Sequence, residues 1–256
     1  MDNKEIYEKF DWGALKQEHL IEKIKKILDV IPPDIKTVVD IGCGNGIITN
    51  VLNQQYKVTA VDRSEQALKF VKAKKINASC DNIPLKDNSF DMVFSSELLE
   101  HLPDDVLEGT ISEFKRLSNK YIFITVPNDE NPDKLSIVCP KCSYRYNSPN
   151  HLRSFNTTKL SALFPEYKLI NTFTFGRKIR YYNRNILKLK TSLSPSNSWI
   201  PYYWMSKEKR ETTCPSCENT FINPYKFNLL SLGCDLLNIA VSPKKPYWLF
   251  AVFEKV

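Results

Sequence analysis

Near neutral pH the side chain best suited to moving protons is histidine, and this chain has three: His19, His101 and His151. His101 closes the run Ser95-Ser96-Glu97-Leu98-Leu99-Glu100-His101. Glu97, Glu100 and His101 stand at i, i+3 and i+4, a spacing that predicts three side chains on one face of a helical turn. A second set is built from sulfur. Cys139-Pro140-Lys141-Cys142 and Cys214-Pro215-Ser216-Cys217 are two C-x-x-C pairs with 71 residues between them. In a cytosolic chain such pairs point to metal rather than to disulfides. Four thiolates would make one closed, tetrahedral, structural zinc site. The alternatives are two separate redox pairs or unliganded buried thiols. Cys43, Cys80 and Cys234 fall outside the pattern and read as small core residues.

These groups need a scaffold, and its start is legible around Val38-Val39-Asp40-Ile41-Gly42-Cys43-Gly44-Asn45-Gly46. An apolar run enters a turn with glycines at 42, 44 and 46, and a helical pattern follows over Ile47 to Leu52. Glycine suits a sharp exit from a buried strand where backbone comes close to a ligand. A second strand, Lys57 to Val61, ends in Asp62, about twenty residues past the glycines, where a carboxylate can accept from ribose hydroxyls. The turn is G-x-G-x-G rather than G-x-G-x-x-G, and Asp40 stands two residues before it. A carboxylate there would repel a pyrophosphate but suits a cationic amino group. S-adenosylmethionine carries an ammonium and a sulfonium and no phosphate.

On these residues the chain resembles the class I S-adenosylmethionine-dependent methyltransferases, in particular the small-molecule and glycan group. Cys80-Asp81-Asn82-Ile83-Pro84-Leu85 followed by Asp87 to Val93 resembles the family's adenine-binding turn and fourth strand. Ser95 to Leu102 resembles the segment after that strand, and Lys120 to Pro127 the fifth. The likeness covers roughly residues 30 to 175 plus a last strand near Tyr247 to Glu254. It implies an α/β fold: a doubly wound, seven-stranded, mostly parallel sheet. It also implies roles. Asp40 would sit near the cofactor's amino group, with close backbone contacts from Gly42, Cys43 and Gly44. Asp62 would hold the ribose, Arg63 would lie beside the adenine, and Asp81 would accept from the adenine amino group with Asn82 and Ile83 adjacent. Ser95 would line the methionine moiety. Glu97, Glu100 and His101 resemble the E-x-x-E-H segment of ubiquinone-pathway O-methyltransferases and small-RNA 2′-O-methyltransferases. There a divalent cation helps hold the acceptor oxygen, and His151 matches a further histidine after the fifth strand. Relatives with no known metal share the motif; in the other readings Glu100 packs or pairs, and His101 acts as base or only lines the pocket.

Composition sets outer limits. At 256 residues, with 42% hydrophobic and 25% charged residues, the chain suits one α/β domain with additions. No apolar run is long enough to span a bilayer. Met1 to Glu5 lacks a basic region leading into an apolar one, so a cytoplasmic protein without a secretory signal is expected. Net charge is +7 and clustered: Arg177 to Arg210 holds nine basic residues and one acid, interleaved with Tyr181, Tyr182, Trp199, Tyr202, Tyr203 and Trp204. Such a segment can track a phosphate backbone, hold a sugar nucleotide or acidic glycan, or form a solvated lobe with a small core of its own.

Along the chain, residues 14 to 30 show helical spacing, Glu65 to Lys74 fits the helix after the second strand, and Pro103-Asp104-Asp105 starts a helix to Leu117. Tyr7 to Trp12 either folds over the cofactor pocket or is a surface arm. Helix Thr157 to Phe164, strand Tyr167 to Phe175, helix Tyr225 to Ile239 and strand Tyr247 to Phe253 complete the pattern. The expectation is a single methyltransferase domain over 1–256, with insertions at 129–150 and 177–224 forming a zinc-ribbon-like, zinc-stapled cap lobe. The expected reaction is methyl transfer to a hydroxyl of a small molecule, sugar or glycan intermediate. An RNA methyltransferase using the basic aromatic lobe, and a non-catalytic module binding cofactor and zinc, are the rival readings.

Overall fold

Near-continuous apolar runs such as Val38 to Ile41 and Tyr121 to Val126 suit strands covered on both faces, and these strands form the middle of the sheet. The computed structural model describes Tyr7, Glu8 and residues 10–256. Met1 to Glu5 and the His19 side chain lie outside the described residues. The described residues divide into two compact units, one of those up to 128 with 155–177 and 247–256, the other of 129–154 and 178–246.

The first unit is α/β. In chain order its elements are α1 (Ile21–Val30), β1 (Thr37–Ile41), α2 (Ile47–Leu52), β2 (Lys57–Asp62), α3 (Glu65–Leu68), β3 (Lys74–Asn77), β4 (Phe90–Ser96), α4 (Asp104–Leu117) and β5 (Ser118–Pro127). The chain returns to it with α5 (Thr157–Leu163) and with strands Tyr167–Arg180 and Lys244–Lys255, which are β8 and β11. The seven strands run β3-β2-β1-β4-β5-β11-β8. β1 pairs in parallel with both β2 and β4, and β11 is antiparallel to its neighbour β5. Strand order therefore reverses between β1 and β4, the place where doubly wound sheets open a crevice at their carboxyl ends.

Successive strand residues feed opposite layers. Val39, Val93, Ile122 and Ile124 join Leu107, Ile111 and Phe114 of α4, whereas Val38, Met92, Phe94 and Phe123 join Ile27 of α1 and Leu52 of α2. α3 stops after four residues instead of reaching Lys74, because Lys74–Asn77 is taken up by β3, which pairs with β2. Likewise α1 begins at Ile21; a single 3-10 turn, Gln17–Leu20, precedes it.

The second unit is built from two short hairpins and three helices. The hairpins are β6 (Ser136–Val138) with β7 (Arg145–Asn147) and β9 (Glu211–Thr213) with β10 (Thr220–Ile222). The helices are α6 (Arg184–Leu193), α7 (Ile200–Tyr203) and α8 (Leu229–Val241). Its own core gathers Ile137, Tyr146, Tyr182, Leu187, Trp199 and Tyr202 around Cys139 and Cys214. Three of the aromatics that could have stacked nucleobases are thus interior, while Tyr203 and Trp204 remain exposed. The unit continues past residue 224 to Pro246, since α8 supplies Asp235 and Asn238, which accept from Tyr182 Oη and Asn183 N.

Candidate functional site

Two carboxylates stand at the carboxyl ends of β1 and β2. Asp40 is buried in β1 opposite Ala60 and Phe94, and its Oδ2 accepts from Thr49 Oγ1 at 2.6 Å. Burial pushes its pKa up to about 7, the Thr49 hydroxyl working the other way and Asp62 adding to the rise. Asp62 caps the end of β2: Oδ2 accepts from Gly44 N at 2.8 Å and Oδ1 from Ser64 N at 2.9 Å. Burial raises its pKa as well, against those two N–H groups. Between the carboxylates runs the glycine turn, anchored by Gly42 N and Cys43 N donating to Val61 O. Gly44 has φ +54°, and a Cβ there would meet the Trp12 ring at 2.8 Å. Cys43 is half-buried, and burial beside Asp40 and Asp62 holds its thiol neutral, well above its usual pKa.

The arm holding Tyr7, Glu8 and Trp12 crosses this turn. Asn45 Nδ2 donates to Trp12 O at 2.8 Å, Trp12 Nε1 to Tyr7 O at 2.8 Å, and Glu65 N to Glu8 Oε1 at 2.9 Å. The Arg63 guanidinium lies over the Tyr7 ring at 5.4 Å, and that ring meets His101 edge-on at 6.1 Å. Burial lifts the Tyr7 pKa to about 12, so its hydroxyl keeps its proton.

On the far side of the crevice, Asp81 takes a hydrogen bond from Ser79 Oγ, and Gly109 of α4 faces it so closely that a Cβ would come within 2.7 Å. Asn82 N donates to Ser79 O, and Ile83 N to Glu113 Oε2 at 2.9 Å. Arg116, a turn of helix beyond Glu113, donates to Ile83 O, Leu85 O and Asp87 Oδ1. Glu113 and Arg116 clamp segment 83–87 from α4. Sequence reading missed them, although an acid and an arginine at i, i+3 signal a pair on one helix face. Ser95 is buried, and its hydroxyl donates to Ile41 O at 2.9 Å, tying β4 to β1 at the crevice.

The expected single face of Glu97, Glu100 and His101 does not form. β4 runs through Ser96, Glu97 takes a left-handed conformation at φ +56° with its N–H on Thr125 O, and only Leu99–His101 makes a 3-10 turn. The Glu97 carboxylate turns instead to Lys23, whose buried ammonium donates to Glu97 Oε1 at 3.1 Å and Ser96 Oγ at 3.0 Å and lies 4.7 Å from the Trp248 ring centre. Glu100 is buried, with Oε1 3.9 Å from His101 Nε2.

Residues 39–120, about a third of the chain, match the family described as methyltransferase domain. Over that stretch the chain is similar to methyltransferase domains, and its fold is that of solved S-adenosylmethionine-dependent methyltransferases. Over 110 residues it is 36% identical to the ubiquinone biosynthesis O-methyltransferase of Coxiella burnetii, covering 37% of this chain and 47% of that protein. It is 30% identical over 122 residues to the enzyme of the same name from Rickettsia bellii, covering 44% and 49%. The chain thus spans about half the length of the curated relatives it matches. A solved S-adenosylmethionine-dependent methyltransferase from Archaeoglobus fulgidus superposes with a TM-score of 0.58 at 15% identity, covering 94% of this chain and 95% of that one, a likeness of fold.

The second unit carries a cysteine centre. Cys139, Cys142, Cys214 and Cys217 bring their sulfurs within 4.8 Å of one another. Cys139–Cys217 and Cys142–Cys214 are each 3.6 Å apart. Tetrahedral zinc with Zn–S bonds of about 2.3 Å needs sulfurs about 3.8 Å apart, so the set fits. The two knuckles repeat one another. Ser143 and Glu218, just after each second cysteine, are left-handed at φ +60° and +56°, and their N–H groups donate to Cys139 O and Cys214 O. Burial opposes it, but N–H groups of Cys142 and Lys141 and the neighbouring thiols draw the Cys139 thiol down, while burial pushes the Cys214 thiol up. His151 also belongs to this unit, buried, with Nδ1 2.5 Å from Glu130 Oε2.

Proposed function

We propose that this chain transfers a methyl group from S-adenosylmethionine to a hydroxyl of a small molecule. The observation that carries the reading is Asp40: a carboxylate buried at the end of β1, held near pKa 7 by burial, gains from a cation placed against it. Asp40 would face the cofactor's ammonium, Asp62 the ribose, and segment 81–83 the adenine, with Arg63 and Tyr7 beside it. Bound there, S-adenosylmethionine supplies a methyl group on a positively charged sulfur. The protein's part is alignment and proton removal. His101 takes the acceptor proton at a ring nitrogen, and the Glu100 carboxylate, 3.9 Å away, favours the imidazolium that results. Lys23 already brings positive charge to Glu97, which removes that carboxylate from a divalent-cation site.

The names of the Coxiella and Rickettsia relatives support an oxygen acceptor. The cysteine set supports one structural zinc per chain. Titration calorimetry tests the donor: S-adenosylmethionine and S-adenosylhomocysteine should bind at micromolar concentration and NAD should not. Binding of NAD in place of S-adenosylmethionine overturns the reading. Transfer of labelled methyl to phenolic or sugar hydroxyl compounds then identifies the acceptor. His101→Ala should keep cofactor affinity and lose at least about a hundredfold in turnover.

A further inference from the structure

Helix α8 is built inside out. A surface helix ordinarily turns leucines to the core and polar residues to water. Here the inward face carries Ser231, Cys234, Asp235 and Asn238. Ser231 Oγ donates to Ser198 O at 2.8 Å, Asp235 accepts from Lys190 Nζ and Tyr182 Oη, and Asn238 Nδ2 donates to Tyr181 O at 2.9 Å. The outward face carries Leu229, Leu236, Leu237, Ile239 and Val241, all at least half exposed and Leu229 75% so. The inward polar set is fully engaged, so a quarter-turn of the helix cannot hide the leucines. α6, packed against α8, adds exposed Leu189 and Leu193. This much exposed aliphatic surface on one small unit marks a site that something apolar covers.

Charge selects the occupant. The unit of residues 129–154 and 178–246 holds fifteen lysines and arginines against seven acids, a net +8 on a chain of total +7. Arg184 and Lys188 stand exposed on α6, and exposed Lys226 and Lys244 bracket α8. A second copy would bring +8 against +8, which opposes pairing. An anionic lipid surface answers both features: acyl chains take the leucines, and headgroups take the ammonium and guanidinium groups. Tyr203 and Trp204, exposed at the end of α7, are residue types that settle at such a boundary. Among the described residues no helix is long and apolar enough to cross a membrane, so the contact is with its surface.

We propose that α8 lies in the headgroup boundary of an anionic membrane and docks the chain there. The inference stands apart from methyl transfer, since it uses none of the groups placed around the cofactor. Co-sedimentation of the whole chain with vesicles tests it. Vesicles containing phosphatidylglycerol should bind at least about tenfold more tightly than phosphatidylcholine alone, and high salt should weaken the binding. Leu236→Ser with Leu237→Ser and Ile239→Ser should lower it by about tenfold or more, at an unchanged melting temperature. Should that variant unfold, Lys188→Glu with Lys244→Glu carries the same expectation. Equal pelleting with and without phosphatidylglycerol overturns the proposal, as does wild-type binding by the charge-reversed protein. A dimer by light scattering that the serine substitutions dissociate assigns the face to a second copy instead, and overturns it too.

Discussion

Burial at the end of β1 makes the charge of Asp40 depend on pH near neutrality. Its pKa rises from 3.8 to about 7 in the folded, cofactor-free chain, so between those values the folded state holds a proton that the unfolded state has lost. Stability from this group is therefore present below about pH 4 and disappears as pH climbs through 7. A bound cation reverses the preference and favours the ionised form. S-adenosylmethionine affinity should fall up to about tenfold per pH unit on acidifying below 7, with proton release on binding. Calorimetry in buffers of different ionisation enthalpy reads this directly, and Asp40→Asn should flatten both profiles. Lys23 and Glu97 allow a second test at this scale. Lys23 is the buried partner and Glu97 the partly exposed one, with side-chain exposures of 1% and 29%. Glu97→Ala strands a buried ammonium, whereas Lys23→Met leaves a carboxylate that water can reach. Urea unfolding should find Glu97→Ala the less stable of the two, by about 1–3 kcal/mol; the opposite order removes Lys23 as the pair's buried anchor.

At the scale of elements, α4 holds the crevice's second wall. Arg116 gives four groups of segment 83–87 and Glu113 a common hub, at N···O distances of 2.6 to 2.9 Å. Arg116→Ala should lower stability by about 2 kcal/mol, given its partial exposure, and weaken cofactor binding severalfold without moving the pH profile set by Asp40. Chemical denaturation and calorimetry on the same variant check both halves. The contrast with the glycine turn explains what could be read in advance. Gly42, Gly44, Asp40 and Asp62 lie within 23 residues, and their roles follow from a strand, a turn and a strand in succession. Glu113 reaches Ile83 across 30 residues, and Lys23 reaches Glu97 across 74. No local pattern carries such pairings. The helical spacing of Glu97, Glu100 and His101 misled for a related reason: pairing of β4 with β5 extends through Ser96 to Thr125 and overrides the turn that the three residues alone would favour.

For the whole molecule, two units with separate cores rest on different sources of stability. The α/β unit buries long apolar strands between two helical layers. The second unit gathers a smaller core in which Cys139 and Cys214 are themselves buried members, and both of its hairpins are closed by a cysteine knuckle. A core of that size, with Lys190 and Asp235 also drawn inside, needs a staple. Structural zinc at four thiolates is worth about 10 kcal/mol or more, so its removal should act on this unit first. Calorimetric melting after treatment with a strong chelator should show a transition at lower temperature that zinc restores. S-adenosylmethionine bound at the proposed site around Asp40 and Asp62 should raise the other transition. Elemental analysis should give one zinc per chain. Chelation that leaves the melting profile unchanged, with no zinc found, would mean that the four sulfurs hold this unit together as thiols.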